Sequence, residues 1–420
     1  MKVSVIGLGK LGLPMAAIFA SKGHEVTGID TNPELIAKLI VGECPIQEPG
    51  LKELLKITGR SIRFTTASIS SDIDFIIVPT PSDNTGSFTS RYVLEAIRSL
   101  NLKKGQIVVI TSTVMPGTME KEIAPLVPKG IGLCYSPEFV ALGNVIKGML
   151  EPDGILIGQS DPTSGITLEY FMLGICENKP QVSRMSFYNA ELAKLALNVF
   201  ITAKITFANQ LAEICENIPG GNVDTIVKFL GSDSRIGLKY LVSGIGFGGP
   251  CFPRDNEAFL SAFPSSLIQK SVIQTNDQIP YRIVTITRKM LVGISHPTIS
   301  ILGLTYKPDT PVIEESRAII LIKKLCTDYL VKVYDPQGIP EAKKVLPETV
   351  IYSENVLDCL MGSDLCVICT TWNEFKVITP DLLKKHMRRP AVFDCWRMLP
   401  RKAFKEQNII YKAIGISPND

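Results

Sequence analysis

Two segments of the chain carry residues whose types and spacing could do chemistry together. One is the glycine-rich run GIGFGGPCFPRD, in which Cys251 is the only thiol. The other holds three glycines, Gly7, Gly9 and Gly12, at the spacing that binds the pyrophosphate of a dinucleotide. Hydride transfer alone needs no cysteine, whereas a thiol can trap an aldehyde covalently. A chain with both features could oxidise an alcohol past the aldehyde to a carboxylate.

The setting of Cys251 favours a reactive role over burial as a small hydrophobe, which is the commoner fate of a cysteine. Gly246, Gly248 and Gly249 predict a mobile segment without side chains, along which a substrate could approach the thiol. A core strand would not tolerate these glycines. An ordinary thiol is mostly protonated at neutral pH, so a nearby cation or hydrogen-bond donors must lower its pKa. Lys194 is the cation that the sequence offers.

The three-glycine loop has the full context of a dinucleotide site. It follows an apolar strand, Lys2 to Ile6, and precedes a helix, Pro14 to Ser21. The second strand, Glu25 to Asp30, ends in an acid. Asp30 can accept hydrogen bonds from the adenosine ribose and would repel a 2′-phosphate, so the sequence predicts NAD and not NADP. The predicted loop residues are Gly7, Gly9, Lys10, Leu11 and Gly12.

Strands and helices alternate at both ends of the chain. Four further apolar runs predict strands of a parallel sheet, with helices such as Arg91 to Leu100 between them: Phe75 to Val78, Ile107 to Ile110, Gly132 to Tyr135 and Ile155 to Ile157. The strand candidates Ser300 to Leu304 and Val331 to Asp335 repeat the layout of the N-terminus. There, Thr305 to Pro308 replaces the glycine loop, which suits a nucleotide held by side chains.

Between these regions, Asn189 to Ile218 has helical periodicity, with Leu192, Leu195, Val199 and Phe200 on one predicted face. A helix this long predicts a central spine with a face for dimerisation. The predicted fold class is α/β, with two Rossmann-like doubly wound domains joined by a long central helix with a small helical domain. The predicted domains are residues 1–185, 186–295 and 296–420.

Composition excludes several classes of function. The chain has 420 residues, and its 44 basic and 41 acidic residues give a net charge of +3, so no nucleic-acid partner is expected. Three histidines without a ligand cluster predict no metal site. Glycines and Pro14 interrupt the N-terminal apolar stretch, so neither a signal peptide nor a membrane span is expected, and the predicted location is the cytoplasm. The close pair Cys366 and Cys369 lies in an apolar strand, which argues against a redox motif.

From Met1 to about Arg401 the sequence resembles the UDP-glucose/GDP-mannose dehydrogenase family. The resemblance implies a two-step, NAD-dependent oxidation at C6 of a nucleotide sugar, with UDP-glucose as the first expectation, in a homodimer or larger homo-oligomer. It is carried, in family order, by these segments: Val78-Pro79-Thr80-Pro81, Thr111-Ser112-Thr113-Val114, Ser136-Pro137-Glu138-Phe139, Ser234-Arg235-Ile236-Gly237, the Cys251 run, Gly303 to Lys307, Thr371 to Phe375 and Phe393 to Arg397.

The resemblance also implies roles for single residues. Cys251 would be the nucleophile that forms a thiohemiacetal and then a thioester. Lys194 and Asn198, four residues apart and so on one helix face with Glu191, would stabilise the oxyanion. Glu138 would activate the water that hydrolyses the thioester, and Asp255 with Thr113 would orient that water.

Further segments of the resemblance imply contacts with ligands. Thr80, Pro81 and Thr113 would lie around the cofactor, although threonine and proline at strand ends are also ordinary turn residues. Arg235 would reach the substrate of the neighbouring subunit. The substrate residues that follow from the resemblance are Glu138, Phe139, Lys194, Asn198, Arg235, Gly248, Lys307 and Arg397.

Three departures from the family pattern bear on the substrate. Leu142 stands where members that oxidise glucose usually carry a second acid, Arg254 where lysine is usual, and Glu314 where many members have arginine. The alternatives within the family are a UDP-N-acetylhexosamine or a GDP-mannose dehydrogenase. A non-catalytic nucleotide-sugar sensor is disfavoured because Cys251, Lys194, Asn198 and Asp255 are retained together. A two-domain hydroxyacid dehydrogenase would need no cysteine and no third domain.

Overall fold

The structure is a computed structural model that describes residues 1–417. By contacts the chain divides into two compact units, Met1–Ala196 and the part from Leu197 onward. The elements of the first unit, in chain order, are β1 (Lys2–Ile6), α1 (Gly12–Ser21), β2 (Glu25–Ile29), α2 (Pro33–Ile40), α3 (Leu51–Thr58), β3 (Ile62–Thr65), β4 (Ile73–Ile76), α4 (Arg91–Ser99), β5 (Ile107–Ile110), β6 (Gly132–Tyr135), α5 (Val145–Leu150), β7 (Gly154–Gln159), α6 (Pro162–Ile175) and β8 (Gln181–Met185).

The first unit is built on one sheet of eight strands in the order β3-β2-β1-β4-β5-β6-β7-β8. Its first six positions have the strand order of a Rossmann fold. Strands β1, β4 and β5 are almost wholly buried and most of their residues are apolar, because helices cover both faces of a parallel sheet. The predicted parallel direction fails at one place, since β7 runs antiparallel to β6, with Cys134 opposite Gln159.

The long predicted helix is present as α7 (Phe187–Glu216), and the boundary between the two units falls inside it. Leu195 is fully buried, but Leu192 and Phe200 are exposed, so the predicted apolar face is not a single buried face. Within the described residues 1–417, α7 is the one helix that is long and apolar enough to cross a membrane by length and composition alone.

The second unit has its own sheet of six strands, all parallel, in the order β11-β10-β9-β12-β13-β14. Its elements are α8 (Val223–Ser232), α9 (Phe252–Ala262), α10 (Leu267–Met290), β9 (Thr298–Leu302), α11 (Arg317–Leu325), β10 (Leu330–Tyr334), α12 (Ile339–Ala342), β11 (Ile351–Tyr352), α13 (Val356–Leu360), β12 (Leu365–Ile368), α14 (Pro380–His386), β13 (Ala391–Asp394), α15 (Arg401–Glu406) and β14 (Ile410–Ala413).

One hydrophobic core joins the helices and the sheet of the second unit. Ala212 of α7, Val223 of α8 and Ile283 of α10 belong to the same buried cluster as Ile299 of β9 and Val333 of β10. Most of the predicted central segment, 186–295, therefore lies in the same compact unit as the C-terminal sheet. Ile245, in the glycine-rich run around Cys251 (the cysteine run, residues 244–255), belongs to the same cluster, so this run is anchored on the core of the second unit.

Candidate active site

The loop between β1 and α1 has the geometry of a pyrophosphate cradle. Gly7 adopts φ +98°, where an L side chain is strained, and its N–H donates to Ile29 O at 2.8 Å. A Cβ on Gly12 would lie 1.8 Å from Gly7 O, so only glycine fits there. At Gly9 a Cβ would meet nothing within 4 Å, which leaves open space in front of the first turn of α1. These backbone groups fit a dinucleotide phosphate at a helix N-terminus.

Asp30, at the end of β2, faces this loop. Its carboxylate accepts Leu8 N–H at 2.8 Å on Oδ2 and Asn32 N–H at 2.9 Å on Oδ1. Each oxygen keeps a second lone pair, so the group can still accept hydrogen bonds from two ribose hydroxyls. The residues present therefore fit an adenine dinucleotide without a 2′-phosphate.

Two further predicted cofactor segments meet at the ends of neighbouring strands β4 and β5. Thr80 Oγ1 donates to the backbone carbonyl of Thr113 at 2.8 Å, and Ser112 Oγ donates to Val78 O at 2.7 Å. Pro81, next to Thr80, is exposed. Ligands of doubly wound sheets bind at this edge, beyond the carboxyl ends of the strands.

Glu191 has a structural role that the sequence did not reveal. Its side chain is fully buried, and its two oxygens accept Gly117 N–H at 2.6 Å and Met119 N–H at 2.7 Å. It thus ties α7 to the loop that follows Thr113. Burial raises the pKa of Glu191 to about 7, against the lowering effect of the two amides. The shared helix face with Lys194 was the only signal for it in the sequence.

Glu138 and Lys194 are neighbours in the first unit. Lys194 Nζ donates to the backbone carbonyl of Glu138 at 2.6 Å and lies 4.5 Å from the ring centre of Phe139. Lys194 is only 6% exposed. Burial raises the pKa of the Glu138 carboxyl to about 7, and the charge of Lys194 opposes this shift. A carboxyl that titrates near neutral pH is suited to general base catalysis.

The loop after Glu138 is held by Glu48, for which no motif in the sequence gave a signal. Glu48 is 8% exposed, and it accepts Gly143 N–H at 2.8 Å and Val145 N–H at 2.7 Å. Leu142 lies in this loop, partly buried, and packs against the apolar core of the first unit. The position that departs from the family pattern is therefore also a packing position.

The second unit brings together Cys251, Asp255 and Asn198. Cys251 is exposed and is the N-cap residue of α9, one helical turn before Asp255, whose N–H donates to Cys251 O at 2.8 Å. Asn198 Nδ2 donates to Asp255 Oδ2 at 2.5 Å, and both side chains are buried. The partial positive charge at a helix N-terminus favours an anionic sulfur at this position.

The glycines before Cys251 are required by close packing, and not by the side-chain-free approach for a ligand that the sequence predicted. A Cβ on Gly244 would lie 2.4 Å from the ring of Trp396, and one on Gly249 would lie 2.6 Å from the ring of Tyr306. A Cβ on Gly248 would lie 2.3 Å from the backbone oxygen of Glu315. The glycines thus allow the cysteine run to pack closely against the C-terminal sheet domain.

Besides Lys194, the three other predicted basic substrate residues differ in their surroundings. The Arg235 side chain is 86% exposed and pairs with Asp233 at 2.6 Å. Lys307 Nζ lies 5.7 Å from the ring centre of Tyr306. Arg397 is largely enclosed, because Nε bonds Asp224 at 2.9 Å while Nη1 and Nη2 donate to the carbonyls of Ile414 and Ser243.

The other two departures lie beside the cysteine run. Arg254 is partly buried in the first turn of α9, and Glu314 is exposed while its backbone oxygen accepts Gly249 N–H at 3.1 Å. Among residues 1–417, no group of three or more His, Cys, Asp or Glu side chains could hold a metal ion.

The nucleotide cradle, the strand order and Asp30 define the class of NAD-dependent dehydrogenases. The chain belongs to the UDP-glucose/GDP-mannose dehydrogenase family, whose NAD-binding domain matches residues 1–171, whose central domain matches residues 188–280 and whose UDP-binding domain matches residues 300–401. It is an NAD-dependent nucleotide-sugar dehydrogenase. The predictions of the fold class, the cofactor and the enzyme class are confirmed.

Named relatives and solved structures cover nearly the whole chain. A UDP-glucose 6-dehydrogenase of Rickettsia conorii is 34% identical over 432 residues, with 99% of each chain covered. A UDP-glucose 6-dehydrogenase of Haloferax volcanii is 32% identical over 427 residues, with 96% of this chain and 98% of the relative covered.

Solved structures of two specificities superpose well. A UDP-glucose dehydrogenase from Pyrobaculum islandicum has a TM-score of 0.84 at 30% identity and covers 99% of this chain and 98% of its own. A UDP-D-ManNAc dehydrogenase from Pyrococcus horikoshii has a TM-score of 0.85 at 26% identity, with 99% of both chains covered.

Proposed function

We propose that the protein oxidises the C6 hydroxyl of UDP-glucose to the uronate in two NAD-dependent steps. The names of its relatives support this substrate, since several UDP-glucose 6-dehydrogenases are 31–34% identical to it over almost their whole length. The observation that carries the chemistry is the grouping of Cys251, Asp255 and Asn198 at the start of α9.

NAD, when bound, accepts a hydride in each of two oxidations. The chain would hold it through the loop and strand-end residues Gly7, Gly9, Lys10, Leu11, Gly12, Asp30, Thr80, Pro81 and Thr113. Gly9 leaves room for the pyrophosphate, and Asp30 offers two acceptors to the ribose.

Cys251 is the proposed nucleophile. Its sulfur adds to the C6 aldehyde, and the resulting thiohemiacetal is oxidised to a thioester. Lys194 and Asn198 are proposed to stabilise the oxyanion at both stages, since each has side-chain N–H donors and a buried position on α7.

Glu138 is proposed to take a proton from the water that hydrolyses the thioester. Its pKa of about 7 allows it to act as a base at neutral pH and to give the proton back. Asp255, fixed by Asn198, and Thr113 would orient that water.

The remaining assignments are also proposals. Residues 1–185 would bind NAD, 186–295 would carry the cysteine run and the dimer face, and 296–420 would bind the nucleotide. Contacts with substrate would come from Phe139, Gly248, Lys307 and Arg397. Arg235 of a neighbouring copy would also contact the substrate, since its exposed side chain can reach another subunit. We propose a cytoplasmic homodimer or larger homo-oligomer, with α7 in the protein interior and the interface.

A UDP-N-acetylmannosamine is the second candidate substrate. Its support is the TM-score of 0.85 to the Pyrococcus horikoshii enzyme, as high as that of the UDP-glucose dehydrogenase structure. Sequence identity favours UDP-glucose, at 30% against 26%.

Counting the NADH formed per sugar over a panel of UDP- and GDP-sugars tests both the substrate and the chemistry. Two NADH per UDP-glucose, with a higher kcat/KM than for the other sugars, is the expected result. One NADH per sugar, or full turnover by Cys251→Ser, would contradict the cysteine mechanism. A Cys251→Ser variant that still binds NAD is the folded control.

A further inference from the structure

The backbone of Phe247, four residues before Cys251, is held by one buried amide side chain. Phe247 N–H donates to Asn276 Oδ1 at 2.9 Å, and Asn276 Nδ2 donates back to Phe247 O at 3.1 Å. Asn276 lies within α10 and is 1% exposed. The Asn276 amide thus makes two hydrogen bonds with the backbone of one residue, as paired residues of neighbouring antiparallel strands do. Two such bonds fix both the position and the orientation of the Phe247 backbone.

A second side chain holds the same carbonyl from another helix. Arg317, the first residue of α11, donates from Nε to Phe247 O at 2.9 Å, and its Nη1 lies 3.2 Å from Asp277 Oδ1. Its guanidinium lies 6.0 Å from the centre of the Phe247 ring. Arg317 is 7% exposed, so its charge is directed into the protein at the cysteine run.

The run is shaped to receive the amide. Gly246 has φ +93°, and a Cβ there would lie 2.5 Å from Asn276 Oδ1. Any other residue at this position would push the amide of Asn276 away from Phe247. The glycine and the asparagine are therefore complementary parts of one contact.

Phe247 passes this constraint on to the cysteine through its ring. The ring is 5% exposed and packs edge-on against Phe252, with centroids 6.4 Å apart and planes at 88°. Phe252 directly follows Cys251 and begins α9. A shift of Phe247 would thus move the first residue of the helix whose N-cap is the cysteine.

We propose that Asn276 and Arg317 are positioning residues that set the place of the Cys251 sulfur through Phe247. The proposal rests on Cys251 being the nucleophile. A misplacement of about 1 Å can cost about 100-fold in rate without weakening the binding of substrate. Loss of either side chain should therefore lower kcat far more than it changes KM.

The test compares Asn276→Ala and Arg317→Met with matched controls in the same unit. Asn355→Ala removes the amide that caps α13, and Arg288→Met removes an arginine that pairs with Asp328, both away from the cysteine run. We expect kcat to fall about 10- to 100-fold in the test variants, with KM for UDP-glucose and NAD within about threefold of wild type. Arg317→Lys keeps a donor and a charge and should restore part of kcat.

A second readout does not depend on turnover. The rate of alkylation of Cys251 by iodoacetamide, followed by peptide mass spectrometry against pH, reports the accessibility and charge of its sulfur. The partly buried Cys44 is the internal reference. Asn276→Ala and Arg317→Met should change the rate or the pH midpoint at Cys251 and leave Cys44 unchanged.

Several results would overturn the proposal. One is a folded Arg317→Met variant with wild-type kcat and a wild-type alkylation profile, which can be judged even if Asn276→Ala does not fold. Another is a loss of activity no larger than in the two controls, or a loss confined to KM. If Cys251→Ala itself kept full turnover, the proposed function would fail, while the alkylation comparison would still decide whether these residues position the sulfur.

Discussion

The chain contains the same βαβ opening twice, and only one copy is built to hold a cofactor. Gly7 has φ +98° and donates to Ile29 O at 2.8 Å, and Gly303 has φ +97° and donates to Tyr334 O at 2.8 Å. In both, the next amide donates to the aspartate at the end of the second strand, at 2.8 Å for Asp30 and at 2.7 Å for Asp335. The backbone turn alone therefore does not define a dinucleotide site.

The two turns differ in what fills the space beyond them. Where the first has Gly9 and open space, the second has Thr305, which is fully buried. Asp335 is 2% exposed, and besides Leu304 N–H it accepts Thr305 N–H and Oγ1, the Trp372 indole N–H and the amides of Gln337 and Gly338. Its lone pairs are used inside the protein, whereas Asp30 accepts two amides and keeps one further lone pair on each oxygen for a ligand.

The following helix differs as well. Helix α1 begins at Gly12, directly after the first turn, but α11 begins only at Arg317. The second turn is therefore not followed directly by a helix whose N-terminus could attract a phosphate. A strand-end aspartate predicts a cofactor only when the turn leaves space and a helix starts there.

The largest expected effect comes from converting the first turn into the second with Gly9→Thr. Gly9 lies outside the left-handed region and has room for a side chain, so the fold should survive. The threonine would occupy the place of the pyrophosphate, and we expect the Kd for NAD to rise at least about 100-fold. Isothermal titration calorimetry with NAD measures it.

The matched change in the other copy is Thr305→Gly, which should leave the Kd for NAD unchanged and give no second NAD site. An unchanged Kd in Gly9→Thr would show that Gly9 does not face the cofactor. A second NAD site in Thr305→Gly would show that Thr305 alone closes the second turn.

The next largest effect concerns the free energy of unfolding, which should fall more when the aspartate of the second turn is replaced than when that of the first turn is. Asp335→Asn replaces an acceptor of six hydrogen bonds by a group that must direct an N–H at donors, and we expect a loss of about 2–4 kcal/mol in the free energy of unfolding. Asp30→Asn disturbs only two bonds at a partly exposed site and should cost less than about 1 kcal/mol. Urea unfolding of both variants measures the difference, and equal losses would contradict it.

The sequence predicted the two openings well because both depend on local patterns. Gly7, Gly9, Gly12 and Asp30 follow from spacing and strand length, and the predicted strand Ile107 to Ile110 is present unchanged. The roles of Glu48 and Glu191 could not be predicted. Each carboxylate binds amides more than seventy residues away, and no local pattern shows which distant loop a buried acid will meet.

Features that depend on the packing of distant segments could not be predicted from the sequence either. The glycines before Cys251 predicted a mobile, side-chain-free approach, and only the fold shows that Trp396 and Tyr306 pack against this run instead. The antiparallel β7 was missed because an apolar run has the same composition in either direction. The contacts of Asn276 with Phe247 depend on the place of α10, which its own sequence does not fix.

The pH dependence of turnover should come from the first unit, where the pKa of Glu138 is raised to about 7. Glu138 is needed as a carboxylate, so kcat should fall as the pH drops through about 7, approaching tenfold per unit below it. The pKa of Glu191 is also about 7, but that group is proposed to hold a loop. Glu191→Gln should keep the midpoint of kcat, and Glu138→Gln should remove it along with most of the activity. If an active Glu191→Gln variant lost the midpoint of kcat, the titrating group would be Glu191 and not Glu138.

The smallest expected effect is on the preference for NAD over NADP, which should depend on Asp30 and not on Asp335. A carboxylate at Asp30 meets a 2′-phosphate as a like charge, so Asp30→Asn should lower the ratio of kcat/KM for NAD to that for NADP by about tenfold, or 1.4 kcal/mol. The effect is modest because Asp30 is partly exposed and water and salt screen the repulsion. It should therefore shrink as ionic strength rises. Asp335→Asn should leave the ratio unchanged, since its carboxylate is enclosed by Thr305 and Trp372. A ratio that responds equally to both substitutions would mean that cofactor choice follows general stability and not the charge beside the ribose.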